Sequence, residues 1–229
     1  MSRSLNSGSI KLEHLTEIEP ITENQKLAKG YWEDGDNLVL AGSAGTGKTY
    51  LGLGLALEAV LDKEYSQVIV VRSIVPTRDI GFLPGDEVEK KKAYTNPYVG
   101  LAADLFDDGE AWDKLLMQKK VQFLSTSFIR GTTYDNAIIL VDEMQNLTFH
   151  ELDSVLTRVG ENCRIILCGD YYQSDFRKEE ERSGLPRILE ILEHLNNFSI
   201  VEFGWQDIVR SDFVRDYIMT KEMLGIKNA

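Results

Sequence analysis

The sequence predicts an α/β fold of three layers, with helices on both faces of a mainly parallel central sheet. Short apolar runs alternate with longer helical patterns along most of the 229 residues. The runs at 38–41, 68–71 and 137–141 are apolar at every position, as strands buried on both faces require. Gly42, Asp142, Gly169 and Asp170 stand at the ends of such runs, where an open parallel sheet forms its ligand crevice. With 43% apolar residues, the chain can cover a sheet of that kind within one domain.

The elements follow in order. The polar opening "MSRSLNSGSIKLEHL" makes 1–19 an expected flexible segment and leaves 20–229 as a single domain. Thr22-x-x-Gln25 fits a capping box at a helix start, but a glutamine amide also matches the N6 and N7 edge of adenine. Spacing leaves both readings open. "NLVLA" (37–41) is a strand leading to a helix from Lys48 to about Leu61. Gly52 and Gly54 lie inside that helix and cost about 1 kcal/mol each relative to alanine, which close packing on the sheet would offset.

"QVIVVR" (67–72) is the next strand, followed by an irregular segment through "PTRDIGFLPGD". The run "EKKK" reads either as a solvated helix face or, with Arg72, Arg78, Lys119, Lys120 and Arg130, as part of a local basic groove. Further strands are expected at "VQFLS" (121–125), "NAIILVD" (136–142), "CRIILCGD" (163–170) and "FSIVEF" (198–203). Helices are expected over about 148–159, 185–195 and 211–224.

A formal charge of −12 argues against nucleic-acid binding through bulk electrostatics, although not against a local basic groove. Cys163 and Cys168 share one expected strand at a separation that points them to opposite faces, so they cannot pair locally. Two thiols and no signal peptide suit a reducing cytoplasm. The longest apolar run, "LGLGLALEAVL", is too short to span a bilayer. His14, His150 and His194 are isolated and lack metal-ligand spacing.

"GSAGTGKT", Gly42 to Thr49, fits G-x-x-x-x-G-K-[ST] and stands between a strand and a helix. Gly42, Gly45 and Gly47 let the backbone wrap phosphate oxygens, with Ser43, Ala44 and Thr46 supplying further amides. Lys48 should reach the β- and γ-phosphates, and Thr49 should bind Mg²⁺. "IILVDEMQN" puts Asp142 and Glu143 at a buried strand end. Asp142 is the expected partner of Mg²⁺, and Glu143 is positioned to polarise a water for attack on the γ-phosphate.

The ordered set "TENQKLA", "GSAGTGKTYL", "RSIVPTRDIGFLPGD", "FIRGTT", "IILVDEMQN", "LTRVG", "GDYYQSD" and "IVRSDFV" closely resembles the PhoH family of P-loop ATPases, related to the superfamily 1 helicase core. The resemblance covers about residues 20–224 and implies a RecA-like P-loop NTPase core that binds ATP and Mg²⁺. It implies that Gln25 contacts adenine, that Gln173 senses the γ-phosphate or attacking water, and that Arg210 is a cationic finger, acting in its own chain or on a neighbouring subunit's ATP. It further implies homo-oligomers, with a hexameric ring as one form. In helicase-like cores the segment after the second strand touches single-stranded nucleic acid. Arg72, Arg78 and Arg130 are the candidates here, with Tyr94 and Tyr98 for stacking, against the alternative of a well-packed loop.

Ser43 stands where the family often has proline, Met144 where alanine is usual, and "RSIVP" replaces "RPAVE". None of these removes a site residue. No segment matches the nuclease domain fused to longer family members, so nuclease activity is not expected. The expectation is an ATPase coupled to single-stranded RNA or DNA. A non-catalytic, nucleotide-gated binding module is the alternative. A thymidine kinase with a RecA-like core would typically carry four zinc-binding cysteines, against two here.

Overall fold

The computed structural model describes residues 8–73, 87–126, 128, 129, 131–170 and 184–226, and for 87–92 the backbone alone. Six strands form one sheet: β1 (Asn37–Gly42), β2 (Gln67–Arg72), β3 (Val121–Ser125), β4 (Ala137–Val141), β5 (Arg164–Gly169) and β6 (Phe198–Phe203). Their order is β3-β2-β4-β5-β1-β6, and every neighbouring pair is parallel. The continuous apolar runs have the expected cause. β1 and β4 are buried at every residue, whereas the edge strand β3 alternates and exposes Gln122. The register pairs Ala41 with Gly169 and Val141 with Leu167, so β1, β4 and β5 release their chains side by side.

Seven helices flank the sheet among the described residues: α1 (Glu23–Glu33), α2 (Lys48–Leu61), α3 (Glu87–Phe106), α4 (Ala111–Met117), α5 (Phe149–Leu156), α6 (Gly184–Glu193) and α7 (Asp212–Met223). Strand side chains alternate between two cores. Leu38, Leu40, Val70, Leu140 and Cys168 pack with α1 to α4 on one face. Val39, Ala41, Val71, Val141 and Leu167 pack with α5 and α6 on the other. Cys163 packs against this second core and Cys168 lies in the first; both are free, as the strand period requires. α7 contributes no buried residue to either core.

Gly52 shows why a glycine is tolerated inside α2. A Cβ there would stand 3.2 Å from Cys168 Sγ, Ile166 Cγ2 and Leu140 Cδ1, so the missing side chain lets the helix seat directly on the sheet. At Gly54 the neighbour is Ile18, whose Cδ1 would be 2.4 Å away.

That contact belongs to a strap, residues 8–19, that lies against the helices. Ile10 and Ile18 are each 5% exposed, Thr16 N donates to Leu105 O at 2.8 Å, and Ile10 N donates to Gln118 Oε1 at 3.0 Å. Ile10, Ile18 and the partly buried Leu15 pack the strap against the core that α2, α3 and α4 share. α3 and α4 go beyond the expected elements. Pro97 and Gly100 interrupt the helical pattern of α3. α4 is only seven residues long, too short for periodicity to reveal.

Candidate functional site

The loop after β1 takes its path from glycine backbones. Gly42, Gly45 and Gly47 have φ of 131°, 74° and 81°, a region that disfavours a Cβ. At Gly42 a Cβ would also lie 2.0 Å from the carbonyl oxygen of Phe203 on β6, the same oxygen that accepts a bond from Ser43 N at 3.0 Å. Gly47 caps α2, so the loop ends at a helix N-terminus suited to phosphate. Thr46 Oγ1 donates to Ser43 O at 3.0 Å and ties the loop across its own turn.

Lys48, 8% exposed, donates to Gly42 O at 3.0 Å, Ser43 O at 2.6 Å and Thr46 Oγ1 at 3.2 Å. Burial lowers its pKa, opposed by the nearby Asp170, Cys168, Glu143 and Asp142. Thr49 Oγ1 donates to Asp142 Oδ1 at 2.9 Å, bringing together two residues 93 positions apart. The other carboxylate oxygen, Asp142 Oδ2, accepts from Tyr98 at 2.8 Å.

Glu143 is held in the left-handed region at φ 54°, ψ 43°, a strained placement for a residue with a side chain. Gln145 Nε2 donates to Glu143 Oε2, and Gln145 Oε1 accepts from Asp170 N at 2.9 Å. Gln145 thereby links the ends of β4 and β5. Its place in the sequence, two residues after the second carboxylate, was the one signal that marked it. Arg72 Nη2 lies 3.9 Å from Glu143 Oε1. Burial raises the Glu143 carboxyl, Asp142 adds to the rise, and Arg72 opposes it.

These groups line one cleft of about 280 Å³ at the carboxyl ends of the strands. Gly45 to Thr49, Asp142, Glu143, Asp170 and Arg210 are among its walls. The oxygens of Thr49 and Asp142 are hard donors of the type Mg²⁺ selects, and they already stand at hydrogen-bond distance from each other. The residues fit that ion. Among the described residues, no group of three or more His, Cys, Asp or Glu is arranged to hold a metal.

Other expected site residues fall in varied places. Gln25 is 6% exposed; its Nε2 donates to Thr46 O at 2.9 Å and its Oε1 accepts from Ile21 N at 2.8 Å. The helix cap is supplied by Thr22, which accepts from Gln25 N at 3.3 Å. The amide of Gln25 is thus divided between Ile21, one residue before the cap, and the phosphate loop. Arg210 is exposed, with its stem over Gly45 and Val209 N donating to Gly45 O at 3.0 Å. It faces the cleft of its own chain. α7 reaches the loop too, where Glu222 Oε2 accepts from Ser43 Oγ at 3.0 Å.

Arg72 has a side chain 26% exposed and turned to Glu143. Tyr98 cannot stack on a base: it is fully buried, between Trp112 and Phe123. Tyr94 packs partly buried against the first core. Arg78, Arg130 and Gln173 lie outside the described residues. No helix among the described residues is long and apolar enough to cross a membrane.

The family model described as PhoH-like protein matches residues 17–221. A PhoH-like protein of Mycobacterium leprae is 33% identical over 202 residues, 88% of this chain and 57% of that protein. Protein PhoH of Escherichia coli K12 is 36% identical over 174 residues, covering 74% and 48%. The chain therefore spans about half the length of the curated relatives it matches. Among solved structures, the large terminase of a thermophilic bacteriophage in complex with ADP superposes with a TM-score of 0.50 at 13% identity, over 89% of this chain and 50% of that one. That likeness is one of fold, an α/β core with a parallel central sheet.

Proposed function

The chain belongs to the PhoH family, and from that premise we propose that it is a Mg²⁺-dependent ATP hydrolase coupled to the binding or remodelling of single-stranded RNA or DNA. The observation that carries the reading is the meeting of Lys48, Thr49, Asp142 and Glu143 in one cleft. The loop amides and Lys48 hold the β- and γ-phosphates. Thr49 and Asp142 hold Mg²⁺. Bound there, the ion supplies charge neutralisation to the phosphate oxygens.

Glu143 orients the attacking water and takes its proton. Gln145 fixes the direction of that carboxylate, and burial raises its affinity for the proton. Arg210 offsets charge on the γ-phosphate in the transition state, and its position at the cleft rim supports action within its own chain. Gln25 couples the adenine side of the site to the phosphate loop through its bond to Thr46. Nucleic-acid coupling rests on the family resemblance and on the basic residues Arg78 and Arg130, with Gln173 as reporter of the γ-phosphate.

The test is ATP hydrolysis with and without single-stranded RNA and DNA, beside Glu143→Gln and Lys48→Ala. Glu143→Gln is expected to bind ATP and to lose turnover by about 10²-fold or more, the scale of positioned general-base catalysis. Lys48→Ala should lose nucleotide binding itself. Equal hydrolysis by wild type and Glu143→Gln would sink the assigned role. Binding without turnover in wild type, with or without nucleic acid, would make the chain a nucleotide-gated module instead. Turnover per chain that climbs with protein concentration would move Arg210 onto a neighbouring subunit.

A further inference from the structure

We propose that Tyr98, remote in sequence and buried on α3, is the positioning residue of the metal-binding carboxylate. Its phenol fixes the plane of Asp142 so that Oδ1 faces Thr49. The inference rests on the reading of Thr49 and Asp142 as the Mg²⁺ pair.

A terminal carboxylate torsion is broad, so an aspartate at a strand end does not by itself present one chosen oxygen to an ion. Here two elements hold the two oxygens. Thr49, at the start of α2, takes Oδ1 at 2.9 Å, and Tyr98, on α3, takes Oδ2 at 2.8 Å. Asp142 is 5% exposed, so water has little part in setting its orientation.

The phenol is itself immobilised. Its ring stacks on Trp112 at 5.7 Å and 25°, and lies against Phe123 at 5.8 Å and 45°. Tyr98 is wholly buried, and a buried hydroxyl needs a partner. A phenylalanine would fill the same aromatic slot without any polar atom to satisfy. The hydroxyl donates to Asp142, with the Arg72 guanidinium as its other polar neighbour. Partners of this outer kind hold ligand orientation, and their loss typically weakens metal affinity about 10- to 100-fold.

The experiment measures Mn²⁺, which accepts the same oxygen donors. Mn²⁺ is titrated into the full chain with a non-hydrolysable ATP analogue and followed by the electron-spin-resonance signal of the free ion. Nucleotide affinity is measured separately in the presence of a chelator. Tyr98→Phe should weaken Mn²⁺ binding about tenfold while leaving metal-free nucleotide affinity unchanged. Phe123→Leu loosens the same aromatic cluster but keeps the phenol, and should retain wild-type Mn²⁺ affinity. Equal losses in both variants would reduce Tyr98 to a packing residue and overturn the proposal. Wild-type Mn²⁺ affinity in Tyr98→Phe would overturn it as well, while a loss in Asp142→Asn leaves the metal pair standing. Undiminished Mn²⁺ binding by Asp142→Asn would remove the metal pair, and Tyr98's role with it.

Discussion

Gly42 is confined by two independent constraints, a backbone φ of 131° and a carbonyl oxygen where its side chain would begin. Gly42→Ala should therefore cost about 3 kcal/mol or more, the scale of an over-determined backbone site combined with a clash. The urea midpoint checks this, and an unchanged midpoint would mean that β6 can yield. Residues of this kind were legible from the motif alone. Lys48 and Thr49, which open α2, were legible from the same motif, and Asp142 and Glu143 from the apolar run of the strand they follow. Tyr98 was not. It is 44 residues from its partner, and aromatics spaced along a helix signal a core before they signal a site.

At the scale of elements, the strands and α2 were readable because burial on both faces leaves no polar position to confuse the pattern. α1 was harder. Its buried residues are Gln25, Ala28 and Trp32, and one of the three is polar for the sake of the phosphate loop. α5 illustrates how a cap sets a boundary. Thr148 accepts from Glu151 N, while Glu151 Oε2 accepts from Thr148 N at 2.9 Å, and Thr126 Oγ1 donates to Glu151 Oε1 at 2.7 Å. This reciprocal pair starts the helix at Phe149, and it ends at Leu156, short of the expected Val159. Thr148→Ala should cost about 1 kcal/mol. For a chain of this size that is a fall of about 3 °C in the melting midpoint, readable by calorimetry. No change would mean that the packing of Leu152 and Val155, not the cap, holds α5.

For the molecule as a whole, a ligand that binds only the folded chain stabilises all of it. At about one hundred times its dissociation constant, Mg²⁺-ATP should add about 2.7 kcal/mol, a rise of about 5 to 11 °C in the midpoint. Lys48→Ala should show no such rise. A shift of equal size in that variant would place the nucleotide elsewhere. The topology explains why one site answers for the entire fold: β1, α2 and β4 all end or begin at the cleft, and the same elements carry both cores. Beyond the cores, the relation of α7 to the phosphate loop had no signal in sequence. Its contacts, Glu222 to Ser43 and Ile218 near Gly45, join residues at opposite ends of the chain.

The oxygen of Phe203 that meets Gly42 belongs to the main chain, and so does the amide of Ser43 that donates to it. A carbonyl oxygen is common to every residue type, and an amide hydrogen to every type but proline, so no change of side chain at Phe203 removes the acceptor. The phosphate loop is thereby moored to β6 in a manner indifferent to what side chains β6 carries. This contact asks nothing of the side chains of β6 and only an absent side chain of the glycine opposite it. One gap, not a set of matched side chains, is enough to carry this cradle through sequence divergence.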